Sequence, residues 1–157
     1  MITVWRIVKR RYQAEVLSGE GARLGGGRWN YPGVSVVYAS ETLSLAALEL
    51  FVHFTRRDIA LSKSLVAIPI QIPDSVMIVD VPFRDLKPGW DSSPPPDSTR
   101  DVGTIWARKG LSAVLRVPSA IIPEEHNVLM NPGHADFSKI AAGDPRPFSL
   151  DARVWKR

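Results

Sequence analysis

The residues best suited to chemistry lie in the first third of the chain, beginning with the run EGARLGGGRWNYPGVSVVYAS at positions 20–40. Three consecutive glycines, Gly25 to Gly27, lead straight into Arg28, Trp29 and Asn30. Glycine lets a backbone turn tightly and approach another group closely. A guanidinium offers a planar, two-pronged donor for phosphate or carboxylate. Two readings of Arg28 are open at this point: an anion contact beside a permissive loop, or a turn residue paired with a surface acid. Eleven residues after Tyr38 comes Glu49, the only ionisable side chain between Leu43 and Val52 in LSLAALELFV. A carboxylate in such surroundings needs donors or a shifted pKa. It is either half of a structural ion pair or a group with a task. Ser119, in RVPSA, adds a hydroxyl just past a strand-like run.

Other chemistries lack their residues. The glycines do not match a dinucleotide fingerprint, since Leu24 stands where its third glycine would fall, and no Gly-Lys-Ser/Thr of a P-loop follows. There is no Gly-x-Ser-x-Gly nucleophile turn. His53, His126 and His134 show no zinc-binding spacing, and without cysteine neither thiolate metal sites nor disulfides form, so no metal is expected.

The elements that must hold these residues show in the pattern of apolar side chains. Strands are expected at 3–8, 34–39, 64–72, 76–81 and 112–117, with a weaker sixth at 127–130. Pro69 places its strand at an edge or a bulge. A mostly buried helix is expected over 41–54, from Leu43, Ala46, Ala47, Leu50 and Phe54, with Ser40 as its N-cap. A second helix is expected over 99–109 behind a Ser98–Asp101 capping box, and a short third over 14–18. The proline-rich stretch 87–100 reads as an extended surface crossing. Strands and helices do not alternate regularly, which favours an α+β domain of mostly antiparallel sheet over a doubly wound one. The whole length, 1–157, is read as a single domain.

The net charge of +4 and a pI near 9.7 favour anionic partners. The cations are scattered, with short clusters at Lys9–Arg11, Arg56–Arg57 and Lys156–Arg157. A nucleic-acid-binding module is the rival reading from another class. The five tryptophans are dispersed and not interleaved with basic residues, so direct nucleic-acid binding is not expected. No apolar run nears the ~20 residues of a membrane helix, and no signal peptide is evident. The expected location is the cytoplasm, with no membrane contact.

In order and spacing, the opening VWRIV, GGRWN, VVYAS, SLAALE, RVPSAIIPEEHNVLMNP and the closing FSLDARVW together resemble the RES-domain toxins of RES–Xre toxin–antitoxin pairs. That family is named for an arginine, a glutamate and a serine, which would be Arg28, Glu49 and Ser119. The resemblance implies a fold similar to ADP-ribosyltransferases and an activity that degrades NAD at its nicotinamide–ribose bond. It implies no prosthetic group, NAD being substrate, and an Xre-type helix-turn-helix antitoxin that occludes the active site. On this view Glu49 stabilises charge on the nicotinamide ribose, Arg28 holds the pyrophosphate or adjoining ribose, and Tyr38 stacks on nicotinamide. Gly27 would let backbone N–H groups approach the phosphates. Ser119 would bond substrate or Glu49, with Asn30, Asn127 and Asn131 as secondary contacts. The acceptor of the ADP-ribose stays open between water, phosphate and a protein side chain.

Overall fold

A computed structural model of the chain describes residues 1–55, 58 and 64–155. The basic pairs Arg56–Arg57 and Lys156–Arg157 lie outside the described residues. Eight strands form one sheet: β1 (Ile2–Lys9), β2 (Val37–Ser40), β3 (Leu65–Ile72), β4 (Ile78–Asp80), β5 (Val114–Pro118), β6 (His126–Met130), β7 (Ala141–Ala142) and β8 (Arg146–Phe148). Their order is β4-β5-β6-β2-β1-β3-β7, with β8 also against β3. Every pairing is antiparallel except β4 with β5. Among the described residues three α-helices join them: α1 (Glu20–Gly25), α2 (Leu43–Phe51) and α3 (Asp97–Lys109). The α+β class expected from the sequence is the one observed.

The alternation of side chains along the strands builds two layers of core. Val37 and Ala39 of β2 join Val4, Ile70, Val114, Val128 and Met130 in one cluster. Tyr38, between them in sequence, packs instead with Leu115, Val117, Leu129 and the buried Trp29, Trp90 and Trp106. Thus the glycine-rich segment and α3 cover one face of the sheet through their tryptophans. Leu45 and Ala46 anchor α2, which packs on β1 and β2.

Several local expectations change. The N-cap of α2 is Thr42, whose Oγ1 accepts the Leu45 N–H at 3.0 Å; Ser40 belongs to β2 and spends its hydroxyl elsewhere. The helix is also shorter and less buried than its composition implies, since it lies on the sheet and leaves Leu48 and Val52 exposed. At α3, Pro96 occupies the cap position and makes no side-chain cap bond, so the Ser98–Asp101 box does not form. Residues 10–15 form a 3-10 turn where a helix at 14–18 was expected, and α1 occupies the stretch just after it. β2 starts three residues late, and the two- and three-residue strands β7 and β8 are too short to leave a pattern. Pro69 sits inside β3, where its outer neighbour changes between β8 and β7; there its carbonyl accepts the Gly143 N–H at 2.8 Å.

Candidate active site

The register brings the cleft-facing side chains into a row. Trp5 of β1 lies opposite Ser40 of β2, and Ser40 lies opposite Asn127 of β6. Tyr38 stands two residues along β2, on the same face. Glu49 comes from α2, and the Gly26–Trp29 turn supplies the facing wall. Between them opens a cleft of about 750 Å³, lined among others by Arg6, Gly27, Arg28, Tyr38, Glu49 and Asn127. That volume suits a small-molecule ligand.

Glu49 is held from one side. Its Oε1 accepts from Ser119 Oγ at 2.8 Å and from Asn127 Nδ2 at 2.5 Å. Among the described residues no donor reaches Oε2. The two donors meet the need that the apolar helix sequence created for this carboxylate. Ser119 is fully buried, so of the two roles open to its hydroxyl the structure gives the contact with Glu49.

Arg28 shares the cleft with Glu49. Burial pulls its guanidinium below the ordinary arginine range, against the opposing fields of Glu49, Asp91 and Tyr38. One of its nitrogens, Nη1, donates to the carbonyls of Trp90 (2.9 Å) and Ser92 (2.8 Å). Arg28 therefore ties down the Asp91–Pro95 wall of the cleft while presenting the rest of its fork. Its own backbone is gripped by α3, because the buried Thr99 hydroxyl donates to the Arg28 carbonyl at 2.7 Å.

The glycine turn serves a different purpose from the one expected. The N–H groups of Gly26 and Gly27 go to the carbonyls of Ala22 (2.8 Å) and Asn30 (3.0 Å), and that of Trp29 goes to Tyr38 Oη at 3.1 Å. These donors are spent inside the turn and cannot cradle a phosphate. Gly26 has φ of 71°, the left-handed region. Gly27 must lack a side chain, since a Cβ there would lie 2.6 Å from Tyr38 Oη. Tyr38 Oη in turn donates to Asn30 Oδ1 at 2.6 Å, and burial pushes its pKa up. The tyrosine ring is thus fixed in the cleft wall as a neutral phenol.

Asn30 is fully buried and donates to the carbonyls of Ala22, Tyr31 and Val34. It organises the turn and stands behind the cleft wall. Asn131 lies elsewhere, lining a separate shallow hollow and donating to the Ala107 carbonyl. Asn127 alone of the three asparagines reaches the site.

Sequence reasoning passed over Arg6. On β1 it alternates with Val4 and Val8, both packed in the core, and that single charge on an apolar face was its signal. Its Nη1 donates to the Tyr38 carbonyl at 3.1 Å, while among the described residues the buried Nε has no partner. Desolvation alone lowers its pKa, with no carboxylate offsetting it. A buried cation without a counter-ion is costly to fold and ready for an anion. Replacing it by methionine should leave the melting temperature of the free protein unchanged or higher. The same Arg6→Met change should raise KM for an anionic substrate about tenfold, as expected on losing one charge-assisted hydrogen bond. Calorimetry and steady-state kinetics check both; a fall in melting temperature with KM unmoved would make Arg6 a structural residue only.

Among the described residues no group of three or more His, Cys, Asp or Glu is placed to hold a metal ion. Nor is any helix long and apolar enough to cross a membrane.

Residues 3–151 match the RES domain. The chain belongs to the RES domain family. Its relatives span nearly the same length. One is the Prs ADP-ribosylating toxin of Sphingobium sp. (strain YBL2), 40% identical over 158 residues, covering 98% of this chain and 96% of that protein. Another is Toxin Res of Yersinia enterocolitica serotype O:8, 38% identical over 152 residues, covering 96% and 98% respectively. Among solved structures, a chain of the M. tuberculosis MbcT–MbcA toxin–antitoxin complex superposes with a TM-score of 0.71 at 19% identity. The match covers 94% of this RES domain and 84% of that chain, and shows a shared fold. The three residue types that name the family lie together here: Arg28 and Glu49 line one cleft, and Ser119 holds Glu49 from behind.

Proposed function

We propose that this RES domain is the toxin of a toxin–antitoxin pair and cleaves the nicotinamide–ribose bond of NAD. The carrying observation is Glu49, held at Oε1 by Ser119 and Asn127, in a cleft that Arg28 and Arg6 also line. As the C–N bond stretches, positive charge grows on the ribose ring carbon and oxygen, as in glycoside cleavage. A fixed carboxylate favours that charge more in the transition state than in the ground state. The arginines suit the pyrophosphate. Tyr38, with its hydroxyl tied back, offers a ring face to the departing nicotinamide.

Water or inorganic phosphate as acceptor makes the enzyme a glycohydrolase or a phosphorylase. The name of the Sphingobium relative favours a second reading, transfer of ADP-ribose to a protein. The M. tuberculosis toxin–antitoxin complex of the same fold supports a protein antitoxin as partner, and we assign it to the Xre type, seated over the cleft. The cytoplasm, where NAD and such a partner meet, is the proposed location.

Purified protein mixed with NAD should release nicotinamide. ADP-ribose in phosphate-free buffer identifies hydrolysis, and a phosphorylated product appearing only on adding phosphate identifies phosphorolysis. Label from NAD in lysate proteins identifies transfer. No nicotinamide release under any of these conditions overturns the proposal.

A further inference from the structure

We propose that Ser40 is a positioning residue, whose hydroxyl holds the Asn127 amide from behind and thereby keeps its donor end seated on Glu49. The inference rests on the NAD reading for its kinetic arm. A primary amide has one acceptor end and one donor end, nearly identical in shape. Asn127 could therefore present either end to Glu49. With the acceptor end forward, two oxygens bearing lone pairs would meet where the Nδ2–Oε1 separation is 2.5 Å. Glu49, which can only accept, selects the donor end, and Ser40 holds the amide there. Ser40 lies directly opposite Asn127 in the β2–β6 ladder, is buried at 3% exposure, and donates its single hydroxyl proton to Asn127 Oδ1 at 2.7 Å. The acceptor end is thus occupied, and the amide is held with its donor end on the carboxylate.

The other side of Glu49 follows the same logic with main chain in place of a side chain. Ser119 Oγ accepts the N–H groups of Ile121 (3.0 Å) and Ile122 (3.2 Å), so its one proton points to Glu49. Both partners of Oε1 donate, the serine because backbone amides fill its acceptor side, the amide with its far end held by Ser40. The distinction matters, because a backbone amide cannot be mutated away and the Ser40 hydroxyl can. It also explains why Ser40 leaves the capping of α2 to Thr42.

A double-mutant cycle on nicotinamide release tests the assignment, because a residue acting only through Asn127 has no effect once Asn127 is gone. Ser40→Ala should lower kcat about tenfold with KM within about twofold, on the scale of one buried hydrogen bond. In an Asn127→Ala background the same change should cost nothing further. An equal further loss overturns the proposal.

A second arm needs no turnover. In ¹⁵N-labelled protein the Asn127 side-chain amide protons should shift on Glu49→Gln, and Ser40→Ala should weaken that response. Amide signals indifferent to Glu49→Gln, or responding equally without the Ser40 hydroxyl, overturn the relay whatever the enzyme does. Should the amide respond as described while no variant consumes NAD, the positioning stands and the substrate reading falls.

Discussion

Glu49→Gln should slow NAD consumption at least ~100-fold while leaving the fold and the melting temperature essentially unchanged, the scale set by losing one preorganised electrostatic contact. The network around Oε1 makes this variant clean. Glutamine keeps an acceptor oxygen of the same shape, so it can still receive the Ser119 hydroxyl and the Asn127 amide. What changes is the other terminus, where a neutral NH₂ replaces the oxygen to which no described residue donates. Charge on the developing ribosyl cation then meets a donor instead of a carboxylate. KM should move little, because a term acting mainly in the transition state appears in kcat. Glu49→Ala would be a poorer test, since it also strands the buried Ser119 hydroxyl and the half-buried Asn127 amide. Turnover within about threefold of wild type in folded Glu49→Gln protein would remove this residue from the chemistry, and NAD cleavage at this cleft with it.

How far the sequence alone reached can be judged on individual side chains. Glu49 was legible because a single acid in an apolar helix is conspicuous, and Arg28 because it ends a glycine run. Their convergence was not legible from spacing: it depends on β2, β6 and α2 meeting at a register no linear pattern encodes. Arg6 was hidden by its neighbours, because TVWRIVK reads as an ordinary strand until alternation places the charge on the packed face. Ser40 was misplaced for a similar reason. A serine before a helical run satisfies the chemistry of an N-cap, and only the true cap two residues later frees its hydroxyl for Asn127. The glycines were legible as a turn but not as to purpose. Composition cannot tell a loop that opens N–H groups to a ligand from one that closes them on itself.

That closed turn is also held from outside, by α3, and the contact predicts an inverted glycine effect. Replacing glycine by alanine inside a helix ordinarily gains up to ~1 kcal/mol. Gly103→Ala in α3 should instead destabilise by about 1–3 kcal/mol, the cost of overpacking a dense contact. A Cβ at Gly103 would stand 1.9 Å from the Trp29 carbonyl oxygen and 2.9 Å from its carbon. These are backbone atoms, and the backbone there has little freedom to move. Thr99 binds the Arg28 carbonyl at 2.7 Å, Thr104 Oγ1 accepts the Tyr31 N–H at 3.0 Å, and Tyr38 Oη accepts the Trp29 N–H. Three anchors thus surround the residue that would have to shift. At about 2–4 °C per kcal/mol for a chain of this size, the melting temperature should fall roughly 2–12 °C. Because the displaced segment carries Arg28, turnover should fall with it even where the protein remains folded. Gly25→Ala is the internal control: it also lies in a helix, meets nothing within 4 Å and has no positive φ, so it should be neutral or slightly stabilising. If both alanines raised stability alike, α3 would not be clamped against the turn, and the rigidity that aims Arg28 into the cleft would need another source.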